Sequence, residues 1–391
     1  MAGFRKNVGI PSSNQWNSAS NDLYKQSPHS LRDSPSKLLL HNLKPLTMSD
    51  PNLITPTTTG GPPPNLSQLS CLRWTAKHPP TDPTISFSNK TILVTGANTG
   101  LGFQAALKYF SLGSSKLILA VRTLEKGQLT KSRLLSLVPS RSADADTISI
   151  IPVNLDTFSS VISFISQLET ETQTLDIALL NAGLGNPTYE EAPTGWEQAV
   201  QVNVLSAALM AVLLLPLLRR TFYLTGKKPH MTFVNSNGHD KFEKKWLGTE
   251  TSLLRYLQDG MKKKWDAEKS YLGVKVVGMA VFKGIVKGAG HGIIVDVVCP
   301  GFCKTDLGRK FGALSHVFMA PMMAFLGRTA EEGARSLVSG SVLTEEGHGG
   351  FWFLFGGLVT DEKLMKRTWE KVFEALRKDC SDVEGILGRK D

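Results

Sequence analysis

The stretch Lys90 to Gly102 reads K-T-I-L-V-T-G-A-N-T-G-L-G, and its reading decides the fold. Thr91 to Thr95 is a short, β-branched apolar run that predicts a buried strand. The glycines after it predict a tight turn opening into a helix over Phe103 to Leu112. Strand, glycine turn and helix in that order are what a pyrophosphate site needs. Gly96 lets the chain turn, Gly100 removes a side chain where backbone N–H groups must approach a phosphate, and Gly102 lets the helix pack close to the sheet. Negative charge is favoured at that helix N-terminus. The spacing is G-x-x-x-G-x-G behind Thr95 rather than the commoner G-x-G-x-x-G, and alone it fits an ordinary glycine-rich turn as well as a nucleotide site.

Downstream of this turn, strand and helix patterns alternate. Lys116 to Val121 predicts a second strand, followed at once by Arg122 and by Thr123 as the N-cap of a helix to about Val138. A third strand is expected over Ile148 to Val153, with a helix from Phe158 to Thr172. The fourth, Leu175 to Leu180, ends at Asn181-Ala182-Gly183, and a long helix follows over about Thr194 to Thr221. His230 to Val234 reads as the fifth strand, and Asp240 to Lys269 as charged and irregular. Tyr271 lies in a helix reaching about Lys287, Gly292 to Val298 is the sixth strand, and Phe351 to Phe353 looks like the last. Such alternation predicts an α/β fold, a doubly wound parallel sheet with helices on both faces, of Rossmann type. Ligands on such sheets bind at the carboxyl ends of the strands, where the polar signals fall.

The chain has 391 residues, 41% hydrophobic and 20% charged, enough for one such domain over 86–391 with an excess at the front. Residues 1–85 are rich in Ser, Pro, Asn and Thr and lack a sustained apolar period, which predicts a disordered extension. A plain tail, a start at Met48 and an organelle-import segment are the readings open for it; a signal peptide's apolar region is missing. The net charge of +10 is spread over clusters at Lys227-Lys228, Lys241 to Lys245 and Lys262 to Lys264. These read as solvated faces, with attraction of a polyanionic cofactor or an anionic membrane surface as the alternative. No nucleic-acid-binding motif appears. Cys71, Cys299, Cys303 and Cys380 are too scattered for a disulfide scaffold or a zinc site, so no metal is expected and a reducing, cytoplasmic setting is. The apolar run Leu205 to Leu218 is shorter than the ~20 residues of a membrane span and reads as a buried core or subunit-contact helix.

Taken together, Thr95-Gly96-x-x-x-Gly100-x-Gly102, Asn181-Ala182-Gly183, Asn203, Ser236, Tyr271-x-x-x-Lys275 and Pro300-Gly301-x-x-x-Thr305 stand in the order and at about the spacing of the short-chain dehydrogenase/reductases. The chain resembles that family from about Ser86 to Asp361. The phrases L-I-L-A-V-R-T, V-N-S-N-G-H and G-H-G-G-F-W-F resemble its retinol-dehydrogenase-like and fungal secondary-metabolism members. The resemblance implies a nicotinamide dinucleotide held by Gly96, Asn98, Thr99, Gly100, Leu101, Gly102, Asn154, Leu155, Asn181, Ala182, Gly183, Pro300, Gly301 and Thr305, with Tyr271 and Lys275 at its reactive end. It also implies a homodimer or homotetramer.

Carbonyl reduction needs an acid for the developing alkoxide, and a free tyrosine with pKa ~10 is a poor acid–base near neutrality. A lysine at i+4 projects from the same helix face and is expected to lower the tyrosine's pKa by its charge. Tyr271 and Lys275 have that spacing. By resemblance Tyr271 is the general acid/base, Lys275 also holds the ribose hydroxyls, Ser236 fixes the substrate oxygen, and Asn203 anchors a water leading to Lys275. Two departures matter: Asn235-Ser236 replaces the usual Ser-Ser, and Asn154 replaces an aspartate that contacts adenine. At the end of the second strand, where NAD users place an acid, this chain has Val121 and Arg122. An arginine there suits a 2′-phosphate, which implies NADP(H).

The Phe- and Met-rich stretch Phe302 to Leu326 reads either as a lid over an apolar substrate or as a packed helix pair. Gly238 to Lys269 is expected beside the same cleft. The substrate expected is a bulky hydrophobic ketone, aldehyde or alcohol, of polyketide, terpenoid, steroid-like or retinoid-like character, and the family implies a reductase of secondary metabolism. The alternatives are a lipid dehydrogenase working in the oxidative direction and a dinucleotide-binding regulator without turnover.

Overall fold

The computed structural model describes residues 66–352 and 361–388. Seven strands form one parallel sheet in the order β3-β2-β1-β4-β5-β6-β7: β1 Thr91–Thr95, β2 Lys116–Val121, β3 Ile148–Pro152, β4 Ile177–Leu180, β5 His230–Val234, β6 Ile294–Val298 and β7 Phe351–Trp352. Phe353, expected in the last strand, lies outside the described residues. The order reverses between β1 and β4, which is where such sheets open a crevice.

Alternation along β1 divides the core. Leu93 faces one layer together with Phe158 and Phe164 of α4 (Phe158–Glu171), with α5 (Gln198–Thr225) and with α6 (Ala267–Ala289). Ile92 and Val94 face the other, with Ala105, Ala106, Tyr109 and Phe110 of α2 (Gly100–Ser111), Leu134 of α3 (Leu124–Leu137) and Leu337 of α8 (Ala330–Gly340). A period of two on strands buried on both faces yields this sandwich of helix, sheet and helix. The apolar run Leu205–Leu218 lies inside α5, with Leu209, Val212, Leu215 and Leu218 fully buried, as a core helix requires. Thr123 caps α3 through its side chain, which accepts from Lys126 N.

One expectation is corrected. Of the extension 1–85, taken as disordered, Gln68–Lys77 forms a helix, α1, with Ser67 as its N-cap; residues 1–65 lie outside the described residues. The segment 240–269 is charged and irregular, as read from the sequence. Short helical turns there bury Leu253, Leu254, Leu257 and Met261 in the core, while Lys262 and Lys269 stay outside on Glu191 and Asp266. The helix of the Phe- and Met-rich stretch, α7, runs Ala313–Leu326 and leaves Met322 and Phe325 exposed. Beyond β7 the chain closes with α9 (Glu362–Asp379) and α10 (Asp382–Gly388).

One buried charge calls for a test. Asp296 on β6 is fully buried; its Oδ1 accepts from Thr232 Oγ1 at 2.8 Å while Oδ2 has no partner among the described residues. Burial pushes its pKa well above the usual carboxylate range and so favours the neutral acid in the folded state. A raised folded-state pKa gives stability that is complete below the unfolded value and is lost as pH rises through the folded value. Asp296→Asn copies the neutral acid at every pH. It is expected to raise the melting temperature at pH 8 and to leave it nearly unchanged at pH 4, with about 2–4 °C gained per kcal/mol. Calorimetry at the two pH values checks this; an equal shift at both would show that ionisation is not the cause.

Candidate active site

The glycine turn and the end of β4 are built as one unit. Thr95 Oγ1 accepts from Asn181 N at 2.9 Å and Ala182 N at 3.0 Å, and Thr95 O accepts from Asn181 Nδ2 at 2.9 Å. Gly96 has φ +66°, and a Cβ on it would come 3.0 Å from Ala182 Cα. Gly102 lies so close to Gly96 O and Asn181 Nδ2 that a Cβ would overlap both. Gly100 differs: it also has positive φ, but the nearest atom to its missing side chain is Thr305 Cβ at 3.8 Å. The N-cap Thr99 makes no side-chain hydrogen bond to the first turn of α2, and no acidic residue occupies that turn. Unfilled N–H groups, a helix dipole and an open glycine are what an anionic diphosphate requires, so the residues fit a dinucleotide.

Asn203 stands in a π turn of α5, Gln201–Ser206. Its side chain grips Leu184 just past Gly183: Oδ1 accepts from Leu184 N and Nδ2 donates to Leu184 O, both at 2.8 Å. The amide is therefore used on the loop after β4.

Ser236, Tyr271 and Lys275 come together on the other side of the cleft. Ser236 ends β5 and its hydroxyl takes a hydrogen bond from Gly238 N at 3.0 Å and another with Tyr271. Gly238 fits between them: a Cβ there would stand 3.3 Å from Ser236 Oγ and 3.4 Å from Tyr271 Cε1. Lys275 Nζ lies 5.6 Å from the centre of the Tyr271 ring, and Asn235 Nδ2 donates to Lys275 O at 3.1 Å, tying the residue before Ser236 to α6.

The electrostatics depart from expectation. Lys275 was expected to lower the tyrosine's pKa; instead burial pushes Tyr271 up to about 12, partly offset by the Ser236 hydrogen bond. Burial also draws Lys275 down to about 8. Tyr271 and Lys275 are half-buried, and desolvation is the largest cause of both shifts, so each favours its uncharged form more than in water. Cys299, read from the sequence as structural only, is buried just past β6, where burial pushes its thiol pKa up.

Arg122 is at the end of β2 with its side chain 46% exposed, and it is not alone: Nη2 meets Asp156 Oδ2 at 3.3 Å. Asp156 Oδ1 accepts from Gln198 Nε2 at 3.0 Å, and Gln198 Oε1 takes Lys310 Nζ at 3.0 Å. Lys310 also reaches Asn186 Oδ1 at 3.0 Å and Glu190 at 2.5 Å. A polar chain thus runs from Arg122 to the segment after Thr305. Asn154 Oδ1 accepts from Asp156 N at 3.2 Å, closing a local turn, and Ser206 Oγ holds Leu155 O at 2.6 Å. Asp156, Gln198 and Lys310 were missed in the sequence because their roles come from partners far along the chain; only the acid two residues past Asn154 was visible. His239 was missed too. It is buried with Nδ1 2.6 Å from Ser236 O and Nε2 3.0 Å from Asp240 Oδ1, so it bears on the Ser236 backbone and not on the hydroxyl.

Pro300, Gly301 and Thr305 close the site from β6. Gly301 has φ +82°, and Gly333 of α8 packs the loop against Leu101 and Cys303, where a Cβ would not fit.

Comparison with known proteins is consistent with this arrangement. The family described as short chain dehydrogenase matches residues 90–238. The short-chain dehydrogenase/reductase ffsI of Aspergillus flavipes is 38% identical over 333 residues, spanning 83% of this chain and 96% of its own. Short-chain dehydrogenase/reductase phmF of Phaeosphaeria nodorum is 37% identical over 333 residues, 83% of this chain and 97% of its own. Among solved structures, the Pseudomonas aeruginosa RhlG/NADP active-site complex shares the fold, with TM-score 0.51 and 22% identity over 69% of this chain and 96% of that one.

Proposed function

The chain belongs to the short-chain dehydrogenase/reductase family, and we propose on that footing that it is an NADP(H)-dependent reductase of a bulky hydrophobic ketone or aldehyde. The observation that carries this reading is the cluster of Ser236, Tyr271 and Lys275 across from an uncapped glycine-turn helix. Gly96, Asn98, Thr99, Gly100, Leu101 and Gly102 would hold the diphosphate, Asn154, Leu155, Asn181, Ala182 and Gly183 the adenosine side, and Lys275, Pro300, Gly301 and Thr305 the nicotinamide side. The bound dinucleotide supplies or accepts a hydride. The chain's own part is the proton: Ser236 orients the carbonyl oxygen, Tyr271 Oη donates to it as alkoxide charge develops, and Lys275 stabilises the phenolate left behind. With Lys275 drawn to about 8, its ammonium is present at neutral pH and can assist. The apolar exposed face of α7, with Met322 and Phe325, supports a greasy substrate.

Arg122 supports NADP(H), since no acid stands at the end of β2 and a guanidinium takes a 2′-phosphate through paired charge-assisted bonds. The test is titration with NADPH and NADH before and after Arg122→Ala. NADPH is expected to bind tighter in the parent and to lose about 10–100-fold in the variant, the scale of 1.5–3 kcal/mol for charged hydrogen bonds, while NADH changes little. The Asp156 pair favours a second reading, in which that carboxylate takes ribose hydroxyls and the cofactor is NAD(H). Equal affinities in the parent, unmoved by Arg122→Ala, would decide for it.

A further inference from the structure

Arg328 is 2% exposed, and its guanidinium donates to main-chain carbonyls of two separate segments. Nε donates to Thr75 O at 2.9 Å and Nη2 to His78 O at 3.1 Å, at the C-terminal end of α1, where helix carbonyls have no internal partner. Nη1 donates to Pro300 O at 3.4 Å and would lie 3.1 Å from a Cβ on Gly301. Its main chain is paired as well: Arg328 N donates to Phe302 O and Lys304 N to Arg328 O, both at 2.8 Å. One residue therefore joins a helix that precedes β1 to both edges of the loop that carries Pro300, Gly301 and Thr305.

Burying a guanidinium is costly unless its donors are all met, and removal of its acceptors leaves a charge in a dry place. Burial alone already draws its pKa down, and no acid among the described residues forms an ion pair with it. Such a group is stable only while α1 stays docked. Neighbouring contacts keep it there. Arg335 Nη1 donates to Pro80 O at 3.1 Å, and Lys108 bridges Asp82 and Glu331, the latter at 2.5 Å.

We propose that Arg328 is a positioning residue that makes dinucleotide affinity depend on α1, by holding the Pro300–Gly301 turn in its left-handed conformation against the glycine turn. The inference rests on the dinucleotide reading of that loop. The coupling is mechanical: if α1 leaves, Arg328 loses two of its carbonyls and must seek water, and the loop it grips from both sides moves with it.

The experiment uses the full chain with Arg328→Lys, Arg328→Leu and Trp74→Ala. Trp74 is not among the residues assigned to the dinucleotide site, and its ring stacks on His78 at 4.1 Å, the residue whose carbonyl receives Arg328 Nη2. NADPH affinity, kcat, KM for the cofactor, melting temperature and amide exchange over residues 299–305 are measured. The expected result is a loss of about 10-fold or more in NADPH affinity in Trp74→Ala and in Arg328→Lys, as KM for the cofactor with kcat little changed, with faster exchange in that loop. The double variant is expected to be no worse than Arg328→Lys alone. Unchanged affinity and unchanged loop exchange in a cooperatively melting Trp74→Ala protein would overturn the proposal, and that variant decides the matter if both Arg328 substitutions fail to fold. Absence of NADPH and NADH binding in the parent protein would instead sink the dinucleotide reading, while the exchange data would still report on the coupling.

Discussion

Tyr271→Phe is expected to remove at least about 10²–10⁴ of the turnover rate, the usual worth of a positioned general acid, while NADPH binds as before. Only one oxygen is lost. The ring keeps its packing against Gly238 and its place beneath Lys275, and Ser236 retains its bond from Gly238 N. The contrast between intact binding and lost chemistry is what distinguishes an acid from a wall. Steady-state reduction of a panel of hydrophobic ketones, run beside a fluorescence titration with NADPH, reads both quantities. A variant that still reduces any ketone at a tenth of the parent rate would mean that another group delivers the proton, and the assignment of Tyr271 would fall. A parent protein that binds NADPH and reduces nothing would favour the regulator reading.

The second large effect is expected at Gly102→Ala. This glycine has no unusual dihedral, so the substitution tests close approach alone. The added methyl meets Gly96 O and Asn181 Nδ2, and the Gly96 carbonyl carbon 2.9 Å away; backbone atoms cannot swing aside as a flexible side chain would. Either α2 moves off the sheet or the turn opens, and the Thr95–Asn181–Ala182 hydrogen bonds are strained in both cases. Overpacking of this kind costs about 1–3 kcal/mol of stability. Dinucleotide affinity is expected to fall by more, about 100-fold or beyond, because the N–H groups that meet the diphosphate are the ones displaced. Calorimetry and NADPH titration on the same sample check the pair of effects. Affinity within a few-fold of the parent would show that the turn does not hold the diphosphate.

Features set by neighbours within a turn or two were legible in the sequence. The strand Lys116–Val121 and the side-chain cap at Thr123 fall where local pattern puts them, because alternation, β-branching and a hydroxyl before a helix act over a few residues. The same holds for Gly96 and Gly102, whose need for a turn and a close contact follows from the strand and helix on either side. What was not legible depends on distant partners. Helix α1 has a polar sequence, and its last carbonyls are met by a side chain from beyond β6, so nothing near Gln68–Lys77 announced it. Leu253 and Leu257 were visible as apolar residues between lysines, but their place in the core depends on helices far along the chain. The direction of the Tyr271 shift was unreadable for a related reason: spacing shows that Lys275 is near, while the desolvation of the phenol is set by packing from the whole fold.

The clasp between Arg328 and α1 also sets an order of events on the ribosome. Arg328 and Thr75 are separated by 253 positions, and Arg335 and Pro80 by 255. At about 5–20 residues per second, α1 waits roughly 13–50 s before its partner is synthesised, although the glycine turn and β1–β4 have emerged long before. A nascent chain that ends before Arg328 leaves the last carbonyls of α1 without the guanidinium that meets them, so a prematurely terminated product would expose an undocked helix to the cell's chaperones and proteases.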